Sequence, residues 1–430
     1  MRKFVFVLLA LMVLLTACMP VAWPVNPQST TTSPALQQTA TPAEVTVKAS
    51  DTPSASSVMN LRLWVPPNMD PAADTPAGNL LKARLDQFSR QHDDLIIEVR
   101  VKSVSGPGGL LDSLAATSAA APLALPDLIA LPREGLEAAV LKGLVQTVES
   151  PENLIDDAGW YEYARQLIRV QNSAFGLPIC GDALVMVYRP DVVSDPPLVW
   201  SEVLEQKTPF VFPAADQQAI FTLAQYQSLG IALRDEEGRP YLEVDRLAQV
   251  LTFYSDSEER GVMPFWLTQY QDDQEVWDAF LEKRADLIIA WLSDYLAARP
   301  EGTEFSVLPA ANDQTFTLAD GWVWAVAAMQ EDRREIAIEL AKFLAERRFV
   351  DAYANSLGCI TPFTNQAEAQ TDPTQLAMIE RVASSAQLIP STDILNSLGL
   401  IVQQAVMQVL KNQMDPVPAA QAAVDALTGP

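Results

Sequence analysis

The stretch AFGLPICGDALVMVYRP, residues 174–190, decides the fold. It reads as a short strand over 174–178, a break at Cys180-Gly181-Asp182, and a second apolar strand over 183–188. That strand runs into Pro190, which cannot donate to a sheet ladder. A chain that stops, exposes a few polar groups and resumes as buried strand suits a crossing between two lobes.

Upstream, MNLRLWV (59–65) alternates and predicts the first strand, stopped by Pro66-Pro67. Residues 79–91 then place Leu80, Leu81, Leu85 and Phe88 on one helical face, and LIIEVRV (95–101) is the next strand. Strand, helix, strand implies a parallel pair. After a glycine-led turn and small-residue helix (106–121), PDLIAL (126–131) is a short buried strand. A helix over 133–142 follows, closed by Gly143.

Downstream, PLVWSEVL (197–204) carries Ser201 as the expected helix N-cap. Residues 210–213 form a candidate strand; 217–229, 245–255 and 272–283 are helices. ADLIIAW (285–291), FSVLP (305–309) and DGWVW (320–324) are strand-like. Residues 334–347 form an amphipathic helix through Ile336, Ile338, Leu340, Phe343 and Leu344.

The order of these segments resembles the bacterial extracellular solute-binding proteins of the maltose-binding type, family 1, the ligand receptors of ABC importers. The 174–190 stretch is similar to that family's G-x-P…L-x-Y-N crossover, with Tyr188-Arg189 in place of Tyr-Asn. PDLIAL resembles its A-P-D-V segment, GLVQTVES (143–150) its G-L-L-x-x-L, and PLVWSEVL its P-x-T-W-D-E-L. FSVLP resembles its P-L-P strand, SLGCITPF (356–363) its G-x-x-P loop, and VPAAQAAVDAL (417–427) its closing helix.

The resemblance covers residues 58–427. It implies a two-lobed, type II periplasmic-binding-protein-like α/β fold. The first lobe would comprise 58–182 and 318–358, the second 183–317 and 359–427. Crossing strands would lie near 180–183, 317–322 and 358–362, with ligand held in the cleft and the lobes closing on it by hinge motion.

The first residues set the compartment. Arg2 and Lys3 precede an apolar run over 4–15, about a dozen residues and too short for a bilayer core that needs roughly 20. Residues 1–17 are therefore read as an export signal. Leu15-Thr16-Ala17-Cys18 resembles a lipobox, in which Cys18 is lipidated; the alternative is an ordinary signal peptide with a chance cysteine. Acyl chains contribute about 0.8 kcal/mol per buried methylene, so two or three anchor stably. Residues 18–57, rich in Thr, Pro, Ser, Ala and Gln, are expected to form a disordered tether with a reach of ~35 Å.

The formal charge of −25 argues against nucleic acid or an anionic membrane surface as partner, since both need basic patches. Solubility of an exported protein explains the acidity equally well. His92 is the one histidine and sits in the polar run QHDD, so a Ser-His-Asp or Cys-His centre would have to use an exposed residue. There is no clustered metal-ligand spacing, phosphate loop or dinucleotide fingerprint, and Gly106-Pro107-Gly108-Gly109 reads as a turn. A glycosidase-type carboxylate pair stays formally open, but nothing singles out two of the 54 acids. Neither a catalytic residue, a cofactor nor a metal is expected.

Cys180 and Cys359 remain after lipidation of Cys18, and the resemblance sets both beside the hinge. In an oxidising exterior they can pair; two separate buried thiols are the alternative.

Sugars present apolar C–H faces and hydroxyl edges, so a cleft for them combines flat rings with carboxylates. On segments matching the family's cleft, the ligand-binding candidates are Trp64, Asp182, Trp291, Asp294, Tyr295, Asp320 and Trp322. Trp266 in an irregular loop, with Tyr270, can join them. Each has a plain alternative as core aromatic or solvated acid. IPSTDILNSLGL (389–400) lacks the aromatic pair that oligosaccharide binders of the family often carry, which weakens a maltodextrin-type reading and leaves smaller or less sugar-like ligands open.

The expected function is thus a monomeric, lipid-anchored extracytoplasmic receptor passing a carbohydrate or related polar solute to ABC importer permease subunits, at the cell surface or in a periplasm. A non-transporting surface lipoprotein of the same fold, a sensor accessory or adhesion module, is the alternative.

Overall fold

The computed structural model describes residues 58–148, 159–364 and 372–429. The export signal, Cys18 and the tether expected over 18–57 lie outside the described residues.

Among those residues the strands are β1 (Met59–Val65), β2 (Leu95–Val101), β3 (Leu128–Pro132), β4 (Arg169–Val170), β5 (Ser173–Ala174), β6 (Gly176–Tyr188), β7 (Phe210–Val211), β8 (Leu287–Trp291), β9 (Glu304–Ser306), β10 (Thr317–Val326) and β11 (Ala386–Leu388). β4 and β5 form a separate small ladder. The others join in the order β2-β1-β3-β10-β6-β8-β7, with β11 beside β10 and β9 beside β6. β1 is parallel to β2 and β3, β7 to β8 and β11 to β10, whereas β10 runs antiparallel to β3 and β6, and β6 antiparallel to β8 and β9.

The strands β3 and β8 are covered on both faces, which is why they read as unbroken apolar runs and have their first four residues buried. The helix Pro76–Gln91 lays Leu81, Leu85 and Phe88 into the interior beside Leu61 and Leu63 of β1. It starts three residues earlier than the periodicity alone indicates, because Thr75 caps it by accepting from the Gly78 N–H at 3.0 Å. On the far side of the crossing, Phe210, Phe212, Phe221 and Tyr254 pack ring on ring between β7 and the helices Ile220–Gln227 and Val244–Glu259.

The break expected at Cys180-Gly181-Asp182 is absent. β6 is one strand of 13 residues that changes partner: it pairs with β10 through Gly176–Ala183 and with β8 through Leu184–Tyr188. Gly181 stays in register because a third chain segment completes its ladder. Its N–H donates to Ile360 O at 2.8 Å and its carbonyl accepts from Ile360 N at 2.7 Å. Pro178, lacking an N–H, lies where the β6–β10 register shifts by one residue.

Three segments therefore run side by side at this point, around Gly181, Gly321 and Ile360, and a disulfide joins Cys180 to Cys359 with Cα atoms 6.0 Å apart. On one face the paired glycines admit a close neighbour. A Cβ on Gly181 would sit 2.3 Å from the Tyr163 ring, and one on Gly321 would sit 2.8 Å from Leu167 Cδ2. The helix Glu162–Leu167 thus lies directly against the crossing.

One further expectation changes. Ser201 does not cap its helix: Trp200–Val203 is capped from Val199, with Trp200 buried and its indole N–H donating to Gln225. The C-terminal apolar stretch forms a continuous helix Thr392–Leu410, long and apolar enough by composition to cross a membrane. Ile394, Leu398, Val402, Val406 and Val409 are nonetheless buried, and it packs on the helices Val244–Glu259 and Pro416–Thr428 as a core element.

Candidate functional site

The carboxyl ends of parallel strands are where α/β sheets place ligands, because the loops there are free to carry polar groups. Here two such edges face each other across the crossing. Pro132, the end of β3, is the register partner of Trp322; Asp320 pairs with Asp182; and Leu184 pairs with Trp291, the end of β8. Going from one edge to the other covers two residues of β10 and two of β6. Successive side chains of a strand alternate faces, so Asp182, Asp320 and Trp322 share one face and the paired glycines the other.

Asp182 is half-buried, and burial pushes its carboxyl up to about 7; Asp294 nearby adds repulsion. Its oxygens accept from Ser293 N at 3.0 Å, from the Ser293 hydroxyl, and from its own neighbour Ala183 N at 2.8 Å. These bonds fasten the crossing to the start of the helix Leu292–Ala298. Asp320, also half-buried, accepts from Gly321 N at 2.7 Å and is pushed up to about 6 by burial. Arg133 pulls it down, while Glu134 and Glu137 push it up.

On the β8 side, Trp291 is half-buried and its indole N–H donates to Asp273 at 2.8 Å. Burial lifts Asp273 to about 6, with Asp216, Asp294 and Asp272 adding repulsion. Asp294 and Asp216 are likewise raised by burial. Asp216 is held by the Ile220 and Gln218 N–H groups at 3.0 and 2.9 Å. The helix Thr392–Leu410 presses on this turn: a Cβ on Gly399 would lie 2.4 Å from Gln217 O, and Gln403 donates to Ala215 O at 2.9 Å. On the β3 side, a pocket of about 350 Å³ opens between Ser105, Gly106, Asp112, Leu131, Pro132 and Glu134.

The sequence candidates divide accordingly. Asp182, Asp320 and Trp322 meet on one face of the crossing, and Trp291 and Asp294 stand at the β8 edge. Trp266 packs edge-on to Tyr270, ring centroids 6.1 Å apart, and Tyr270 accepts from Arg284 at 3.3 Å. Trp64 is only 2% exposed, inside the β1 core with Lys102 Nζ 5.1 Å from its ring, so it offers a solute no face. Tyr295 is buried against Phe305, its hydroxyl donating to Thr303 O at 2.9 Å.

Asp273, Asp216 and Ser293 escaped the sequence reading. Asp272, at the start of the helix expected over 272–283, caps it by accepting from Glu275 N at 2.9 Å. That its neighbour Asp273 reaches Trp291 depends on tertiary packing.

A family profile described as bacterial extracellular solute-binding protein matches residues 83–378. The chain belongs to that family, which is extracytoplasmic. Among solved structures, it is similar to MalE from Listeria monocytogenes in complex with maltose, with TM-score 0.69 and 16% identity over 86% of this chain and 96% of that one. It is similar also to the cyclic α-maltosyl-1,6-maltose binding protein of Arthrobacter globiformis, with TM-score 0.69 and 15% identity over 86% and 98%. Maltose-bound MalE3 of T. maritima aligns with TM-score 0.62 and 17% identity over 86% and 99%. At these identities the likeness carries the fold: a two-lobed α/β binding protein. No curated protein sequence matches the chain.

Proposed function

We propose that this protein captures a carbohydrate or related small polar solute between lobes comprising 58–182 with 318–358 and 183–317 with 359–427, and delivers it to ABC importer permeases without breaking bonds in it. The observation that carries this reading is the convergence of the β3 and β8 carboxyl edges on the Asp182–Asp320 pair, with Trp322 and Trp291 flanking it. Sugar hydroxyls can donate to these carboxyls while C–H faces lie on the indoles. The similar structures from L. monocytogenes and T. maritima hold maltose, which supports a sugar here. Gly399 closes on Gln217 in the helix segment where an aromatic pair is missing, which favours a short ligand over a long oligosaccharide. Cys18, lipidated, would hold the receptor at the membrane.

A thermal-shift screen with maltose, maltotetraose, monosaccharides and polyols tests it, since a ligand of the folded state raises stability by RT ln(1 + [L]/Kd). A rise in Tm with one or more of these sugars is expected; no shift with any of them at millimolar concentration removes the carbohydrate reading.

A further inference from the structure

The two sides of the molecule are also joined by a side-chain contact next to the crossing, where Glu137 lies close enough to Asp320 of β10 to raise its carboxyl. Helix Arg133–Leu141 packs on β3 and β10, and helix Thr392–Leu410 packs on Val244–Glu259, Pro416–Thr428 and Ile220–Gln227. Glu137 reaches from the first to the second: its Oε2 accepts from Thr392 N at 2.9 Å and from the Thr392 hydroxyl at 3.0 Å. A helix start leaves N–H groups without intrahelical partners and carries partial positive charge. Here Ser391, the N-cap residue, makes no side-chain cap bond, and Glu137 takes the first exposed amide instead.

Glu137 is itself held rigid. Its Oε1 accepts from Arg133 Nε at 2.9 Å, both residues are more than nine-tenths buried, and Arg133 Nη1 donates to the carbonyls of Leu167 and Arg169 at 2.7 Å each. A groove of about 690 Å³, lined by Gln166, Gln227, Ile231, Leu233, Gln387 and Ser391, opens beside this contact. A two-donor clasp next to an open groove can break without disrupting much else.

We infer that the Glu137–Thr392 contact is an interlobe latch that restricts the angle between the lobes. The inference rests on the lobe division proposed above, but its readout needs no ligand. Thr392→Pro removes both donors while sparing the helix: proline is well tolerated at the first helical position, and Ser391, at φ −59° and ψ 153°, already has the conformation that precedes proline. Arg133 keeps its partner Glu137 in that variant.

The test is a spin-label distance distribution in ligand-free protein between Leu141→Cys and Val417→Cys, both exposed positions on helices of opposite sides. In the Thr392→Pro background the distribution should broaden and shift by a few ångströms, and Glu137→Ala should reproduce the change. Distributions identical to the parent in Thr392→Pro, whatever the effect of Glu137→Ala on Tm, would reduce the contact to an ordinary helix cap. If no sugar binds but the distances move, the latch stands and the carbohydrate reading alone falls.

Discussion

Asp182 on β6 and Asp320 on β10 are direct register partners at the point where the chain passes from one set of strands to the other, and burial raises both above the ordinary carboxyl range. A free carboxyl titrates near 3.9, whereas these two are pushed up to about 7 and about 6.

Between roughly pH 4 and 7 the folded protein therefore holds protons at this pair that the unfolded chain has released. By linkage their contribution to stability falls as pH rises through that window and is lowest above it. Asp182→Asn, which keeps an oxygen for Ser293 N and an NH₂ for the Ser293 hydroxyl, should raise Tm by a few degrees at pH 8 and by much less at pH 5. Calorimetry at both pH values checks this; an equal gain at the two would mean that Asp182 does not titrate in the window.

The Cys180–Cys359 bond closes a loop with a sequence separation of 179. In the chain-entropy model such a closure is worth about 5 kcal/mol, with measured losses on removing native disulfides of about 2–5 kcal/mol. The Cys180→Ser, Cys359→Ser double variant should lower the urea midpoint accordingly. Because the bond ties two of the three crossing segments, reductant should reproduce the loss in the parent protein and have no effect on the double variant.

Gly181→Ala places a methyl 2.3 Å from the Tyr163 ring, and the helix bearing Tyr163 is held by the Tyr163 hydroxyl donating to Thr361 O at 3.2 Å. Overpacking of this kind costs about 1–3 kcal/mol and sometimes more. Gly159→Ala meets its nearest neighbour, Arg347 Nη1, only at 3.6 Å and should be far milder. Chemical denaturation of the pair of variants gives the comparison.

Trp322→Ala should abolish the sugar-induced rise in Tm while the unliganded protein still unfolds cooperatively. Asp273→Asn should weaken it less, because the indole of Trp291 loses the charge of its acceptor but keeps an acceptor oxygen. A full shift in Trp322→Ala would take that ring out of the site. Trp64→Phe, by contrast, should lower stability and leave the ligand response intact, since the side chain is in the interior.

Much of this fold is legible in the sequence because β3 and β8 are covered on both faces, so LIAL in β3 and LIIA in β8 stand out as apolar runs. The crossing at residues 180–183 is legible from its polar interruption, but its continuity is not. The ladder partner that keeps Gly181 extended is Ile360, far along the chain. The same limit governs the site. Asp182, Asp320 and Trp322 lie on segments whose strand character is local, and their placement follows from it. Asp273 takes its electrostatic character from burial, the Trp291 indole and Asp216, and Asp216 takes its own from burial, the Ile220 and Gln218 amides and Asp272. Trp64 shows the converse: a position at a strand end does not say whether the ring turns outward or into the core.

β10 lies between β3 and β6 although it follows both in the chain. A nascent polypeptide emerging from the ribosome thus exhibits two unsatisfied strand edges, those of Leu128–Pro132 and Gly176–Ala183, until residue 326 has been synthesised. Such edges invite pairing with other chains, and contacts this distant in sequence form slowly. Late closure of the sheet leaves both edges open to intermolecular pairing for longest, so the chain is most prone to aggregate before residue 326 has joined.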